Sequence, residues 1–374
     1  MKFVVSSSLL SERLQSVGRI IAAKNTLPIL QCFLFEITGK TLKITASDSE
    51  TTLSTTLELA ESDSDIRFAT NAKKMQDAVK EIPEQPLEFF VNEKTMEITV
   101  EYRNGKYNFM AQTADEYPLP TTLEEDAPSF EVNASLLLDA VNRTILATAD
   151  DALRPVMNGI FFDIQTEYLT LVASDGHKLC CNKVLETPSA AAGSFILPKK
   201  PATLLRSVLA KEDGAATIAY NGRNAIVRTS AYELTCRLID GRFPNYNSVI
   251  PKDNPNYATV SREAITAALR RVLIFSNAVS SLIKMRLDSG NMTISSQDTD
   301  FAMSAEESLI CDYSGTPLTI GFKGPFLLEL IGNLQSEEIV IRLADSTRAG
   351  VIVPAEQNPG EEVLMLLMPM MLGE

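Results

Sequence analysis

One pattern occurs three times in this chain, and nothing else in the sequence constrains the fold as strongly. The segment FLFEITGKTLKITASD (33–48) returns as IFFDIQTEYLTLVASD (160–175) and, more diverged, as IKMRLDSGNMTISSQD (283–298). Each version is an alternating apolar run, a short polar turn, a second alternating run and a polar end, which is the pattern of a β-hairpin. The closing aspartates Asp48, Asp175 and Asp298 lie 127 and 123 residues apart. A repeat of that length is a whole domain, not a solenoid unit.

The repeat extends in both directions. Upstream, a strand end and a cap residue (Ser6, Asn133 or Ser261) precede apolar positions spaced by three and four residues, the signature of one buried helical face. Phe3 to Phe130 is 127 residues and Phe130 to Ala258 is 128, the same register as the hairpins. Downstream, second helices are expected over 71–82, 198–209 and 323–334, each followed by alternating strands. Pro-rich stretches at 117–128 and 243–255 read as extended linkers. The expected fold is α+β: three similar domains of antiparallel sheets with two helices each, at 1–125, 126–253 and 254–374.

Composition narrows the function. No apolar run approaches the ~20 residues of a membrane span, and the N-terminus turns polar too early for a signal peptide, so a cytoplasmic protein without membrane contact is expected. The five cysteines form no Cys-x-x-Cys pair, which points to buried reduced thiols and no metal site. Adjacent Cys180 and Cys181 should face opposite sides of a strand. No phosphate-binding glycine loop or cofactor motif is present. The one histidine, His177, would have to serve any catalytic triad, with Asp175 beside it.

The net charge of −14 alone argues against nucleic acid. Its distribution argues the other way. The six expected helices carry 13 Lys and Arg against 6 Asp and Glu, a net +7 that leaves −21 for the remainder. Lys73, Lys74 and Lys80 fall at repeat positions equivalent to Lys199, Lys200 and Arg206, which favours a phosphate-facing role.

The segments ASDGHKL (173–179), LIDGRFPNY (238–246), LMPM (367–370) and TLPIL (26–30), on three similar domains, resemble the beta subunits of bacterial DNA polymerase III, the sliding clamps, over the whole chain. The resemblance implies a non-catalytic processivity subunit: a head-to-tail homodimeric ring with helices lining a central hole, through which double-stranded DNA passes without sequence-specific contact. It implies partners that dock through short linear motifs, among them the replicative DNA polymerase, the clamp loader and repair proteins, and no cofactor. The DNA-facing residues would be Lys24 on a loop, Lys73, Lys74, Lys80, Lys199, Lys200 and Arg206. The partner-peptide pocket would be walled by Met157, Ser174, Gly176, His177, Lys178, Leu179, Pro244 and Val249, with Leu366, Leu367, Met368, Pro369 and Met370 from the C-terminus. The dimer contact would set Tyr107 and Phe109 against the partner's copy of Ile274 and Phe275. Tyr107 and Phe109 share one strand face, which packs either inward or against a partner.

The residues agree with a pocket near the C-terminus. The methionines of the segment 363–372 suit a site that accepts varied partners, and Pro369 should take the chain out of the sheet. Gly176 permits a close approach at the turn before His177. The chain departs from the family where it has Met371 after the Met-Pro-Met, where Gly373-Glu374 extend the end, and at Ser248, where an arginine is expected. The pocket rim should therefore be less basic. Two other readings compete: an enzyme using His177 with Asp175, and a repeat scaffold that does not bind DNA.

Overall fold

The computed structural model describes residues 1–22 and 27–372. Lys24, Thr26 and the terminal Gly373-Glu374 lie outside the described residues.

Each copy forms its hairpin where the alternation places it: Cys32–Thr38 with Thr41–Ser47, Gly159–Ile164 with Leu169–Ser174, and Leu282–Asp288 with Asn291–Asp298, all antiparallel. The period of two is clearest in the third copy, where Ile283, Met285, Leu287, Met292 and Ile294 are fully buried while Lys284 and Arg286 between them are exposed. Among the described residues six α-helices follow in chain order: α1 (Ser7–Val17), α2 (Ala72–Lys80), α3 (Ala134–Ile145), α4 (Lys199–Leu209), α5 (Arg262–Val272) and α6 (Gly324–Gly332). Side-chain caps hold four of them, the expected Ser6, Asn133 and Ser261 and, in addition, Asn71. The Ser6 hydroxyl accepts from Leu9 N–H at 3.3 Å, Asn71 Oδ1 from Lys74 N–H at 3.0 Å, Asn133 Oδ1 from Ser135 N–H at 2.9 Å and Ser261 Oγ from Ala264 N–H at 3.3 Å. α1 and α5 end sooner than their apolar spacing suggests, because each tightens into a 3₁₀ turn, Gly18–Ile20 and Leu273–Phe275.

The chain forms two compact units, Met1–Ser135 with Thr203–Leu238, and Leu136–Ala202 with Ile239–Glu374. The first contains a 13-stranded sheet; the second contains sheets of nine and four strands. The second repeat is thus divided between the units. The reason is strand pairing: Thr51–Glu58 of the first copy joins Tyr232–Arg237 of the second through pairs such as Leu53 with Leu234. Lys178–Val184 of the second copy likewise joins Glu361–Leu367 of the third. Neither Pro-rich linker is a free tether. Tyr117 is buried, with its hydroxyl 3.3 Å from the Cys32 carbonyl oxygen, and Phe243 stacks on Phe161 at 4.9 Å. All five cysteines are free thiols; Cys180 points into the core and Cys181 to the other face, where burial pushes its thiol up to about 12.

The second unit is tied by a buried ion pair. Arg143 on α3 donates to Glu361, which opens the last strand, to Asn182 Oδ1 at 2.9 Å and to Gln335 Oε1 at 3.2 Å. Its side chain is 4% exposed and that of Glu361 1%. Removing one partner strands a charge in the interior, whereas removing both does not. We expect Glu361→Ala to lose about 3–5 kcal/mol in urea denaturation and Arg143→Met with Glu361→Leu to recover most of it.

Candidate functional site

The site begins at the turn between Leu169–Ser174 and Lys178–Val184. Asp175 Oδ1 accepts from the backbone N–H groups of His177 at 2.8 Å and Lys178 at 2.9 Å. Ser174 Oγ donates to the Lys178 carbonyl at 2.9 Å and accepts from Gly176 N–H at 3.1 Å. Gly176 sits at φ +91°, a conformation that side chains resist. These bonds present the imidazole of His177 to solvent, with its ring centre 6.4 Å from that of Phe326 on α6. Asp175 Oδ1 is engaged in the turn, and no hydrogen bond joins the His177 imidazole to Asp175 among the described residues.

The C-terminal strand lies alongside. Lys178 pairs with Leu367 and Leu179 with Leu366. The chain then leaves the ladder at Pro369, and Met368 N–H donates to the His177 carbonyl at 2.8 Å. Met370 N–H donates to the Gly321 carbonyl at 2.8 Å. A Cβ on Gly321 would stand 2.8 Å from the Met370 carbonyl oxygen, so glycine is what lets the tail lie down there.

An apolar layer forms the floor. Leu179, Leu366, Phe243 and Val172 are buried together, with Val156, Tyr246 and Leu364 packed against them. Above it, Pro244 and Gly176 are exposed, Val249 is 55% and Met368 43% exposed, and Ser174, Pro369 and Met370 are half-buried. Two of the residues expected in the wall need correction, Leu367 and Lys178. Leu367 belongs to a different core cluster, because strand alternation turns it away from the face that Leu366 occupies. Met157 is buried. Lys178 is buried too, its ammonium paired with Glu329 and lying 4.7 Å over the Phe326 ring, so it adds no free charge to the rim. The fold also supplies groups that the sequence does not mark. Arg154 donates from Nε to Asp151 Oδ2 at 2.8 Å, and its guanidinium lies where a Cβ on Gly176 would fall, 2.9 Å away. It brings a cation to a rim that has only Ser248 at the expected arginine position. Phe326 comes from α6 of the third copy. No local motif singles out either residue, because only the folded chain brings them to the turn.

The other candidate groups lie on other elements. Lys73, Lys74 and Lys80 are exposed on α2, which buries Ala72, Met75 and Val79 on its other face. Lys199, Lys200 and Arg206 are exposed on α4. Tyr107 and Phe109 are half-buried on the strand Gly105–Gln112, with ring centres 6.4 Å apart. That strand pairs along its length with Glu97–Tyr102, but with Ile66–Asn71 only at Ala111 and Gln112. Ile274 is 73% and Phe275 37% exposed in the turn after α5.

Comparison with known proteins agrees over the full length. Profiles of the DNA polymerase III beta subunit match as the N-terminal domain over 1–122, the central domain over 131–245 and the C-terminal domain over 247–371. The Beta sliding clamp of Pseudomonas putida is 28% identical over 370 residues, spanning 98% of this chain and 99% of that protein. The Beta sliding clamp of Escherichia coli K12 is 27% identical over 376 residues, spanning all of both. Among solved structures, the DNA polymerase sliding clamp of Pseudomonas aeruginosa with ligand superposes with a TM-score of 0.92 at 26% identity, again over the whole of both chains. The repeats, sheets and paired helices are therefore those of the DNA clamp fold, with three clamp domains in one chain. The chain belongs to the DNA polymerase III beta subunit family, the sliding clamps.

The turn at Gly176 yields a direct test. Gly176→Ala places a Cβ at positive φ and against Arg154, so we expect a loss of about 1 kcal/mol of stability in urea titration. An unchanged midpoint would show that the turn relaxes freely.

Proposed function

We propose that two copies close head to tail into a ring around duplex DNA, and that the site at His177 and the C-terminal tail receives short linear motifs from the replicative polymerase, the clamp loader and repair proteins. In this reading the three clamp domains run 1–125, 126–253 and 254–374, the subunit does no chemistry and takes no cofactor, and it works in the cytoplasm. The observation that carries it is the charge segregation. In a chain of net charge −14, α2 exposes Lys73, Lys74 and Lys80, and α4 exposes Lys199, Lys200 and Arg206 with no acidic residue. A ring holds DNA by topology, so a modest basic lining is enough and strong phosphate binding would hinder sliding. Lys24 belongs to the same proposed set. The methionine-bearing tail beside an exposed imidazole and apolar floor suits a motif that differs from partner to partner.

A head-to-tail contact is heterologous and needs two different surfaces. Tyr107 and Phe109 beside an open strand edge offer one, and Ile274 and Phe275 offer the other.

The deciding experiment is retention on DNA: loaded protein should stay on closed circular DNA and run off once the circle is cut. Equal loss from both forms would reject the ring. Replacing Lys73, Lys74, Lys199, Lys200 and Arg206 by Glu should flatten the salt dependence of retention, by about 0.9 log unit of slope for each phosphate no longer neutralised, while peptide affinity stays constant.

The interface is tested by Ile274→Asp with Phe275→Asp, which should sediment as a monomer at low micromolar concentration. Deleting residues 368–374 should abolish binding of a polymerase-derived peptide in titration calorimetry while the dimer persists. Native affinity in a truncated chain that still melts cooperatively would remove the tail from the pocket.

A further inference from the structure

A second groove opens on the same sheet face as the candidate peptide site. It has a volume of about 690 Å³, and Tyr168, Tyr246, Val353, Leu364 and Arg342 are among its lining residues. The two places are continuous. Leu364 lies two residues before Leu366 and Cys181 two after Leu179, so each shares a strand face with a residue of the apolar floor, and both pack against it.

The charges in this groove are unequal in one respect. Lys183 is paired with Glu362 at 3.4 Å and covers the Tyr168 ring at 4.2 Å. Asp163 accepts from the Tyr246 hydroxyl at 2.7 Å and from Gln165 Nε2 at 2.7 Å. Arg342 has no such partner. Its guanidinium stacks 5.5 Å over the ring of Tyr257, its cross-strand neighbour, and makes no ion pair among the described residues. Its Nε is buried and has no acceptor. A half-buried guanidinium resting over a ring, its inner Nε shut away and its charge unbalanced by any carboxylate among the described residues, is placed to offer its outer nitrogens to a carboxylate. A polyanion does not suit the place, since Asp163 and Glu362 line the same groove and would repel it.

We propose that Arg342 binds an acidic side chain, Asp or Glu, in the segment flanking a partner's apolar motif, so that the partner runs from the His177 site into this groove. The proposal rests on the peptide-site reading above and extends it to a charge-reading position beyond the motif itself.

The test uses the full-length protein and a polymerase-derived apolar peptide extended at its amino or its carboxyl end by Gly-Glu-Gly-Glu, each with a Gly-Gln-Gly-Gln control. At one end the glutamate form should bind about three- to tenfold tighter than its glutamine control. Arg342→Gln should erase that difference and leave the affinity of the unextended peptide within about twofold, the size of a negligible energy change. Arg342→Lys, which keeps the charge but not the fork, should retain only part of it and guards against a folding defect in the glutamine variant. No glutamate preference at either end, or a preference that survives Arg342→Gln, overturns the proposal. Failure of the unextended peptide to bind would instead overturn the peptide site, and the role of Arg342 with it.

Discussion

The second unit depends on one buried charge being satisfied. Arg143 cannot sit in an interior without acceptors, and Glu361, Asn182 and Gln335 supply them from three separate stretches of chain. Glu361 is also the first residue of the terminal strand, opposite Val184. The network therefore pins one end of the ladder that joins the second and third copies. The Met370 bond to Gly321 pins the other end. A slip of one residue between them would send Leu366 to the face of Leu367 and replace the apolar floor of the site with its opposite side.

That ladder explains why the proposed partner site would arise at a repeat junction. Neither the hairpin turn at Gly176 nor the tail at Pro369 forms a concave surface alone. When Lys178–Val184 pairs with Glu361–Leu367, the turn and the tail become neighbours, and α6 brings Phe326 beside His177. Lys178 is taken up by this assembly, its charge balanced by Glu329 and its ammonium resting over the Phe326 ring. Two guanidiniums flank the site, Arg154 at the turn, where Asp151 pairs with it, and Arg342 in the adjoining groove.

Much of this was legible in the sequence, because hairpins, caps and helical faces are local. The alternation of residues 283–298 and the caps at Ser6, Asn133 and Ser261 specify their elements without help from the rest of the chain. The merging of copies was not legible, since the pairing of Thr51–Glu58 with Tyr232–Arg237 joins segments far apart in sequence. Burial within the site was hidden for the same reason. The motif around Lys178 looks like a row of site residues, yet alternation and the Glu329 pair decide which of them meet solvent. Arg154, Phe326 and Arg342 carry no local signature, and only their neighbours in space give them a part.

The departures at Ser248 and Met371 acquire a physical meaning in this setting. Met371 is 80% exposed just past the tail's bond to Gly321, and Ser248 turns its hydroxyl back onto the Asn245 carbonyl at 2.6 Å. Neither contributes a charge at the mouth of the site. The immediate rim is then mainly apolar and adaptable, with Val249, Met368 and Met370 able to repack around different side chains. On the proposal above, attraction for acidic residues would move outward to guanidiniums already oriented by a carboxylate at Arg154 and by an aromatic ring at Arg342. A peptide site built this way would separate two tasks. The apolar centre would admit many motifs, and the charges at a distance would discriminate among the sequences that flank them.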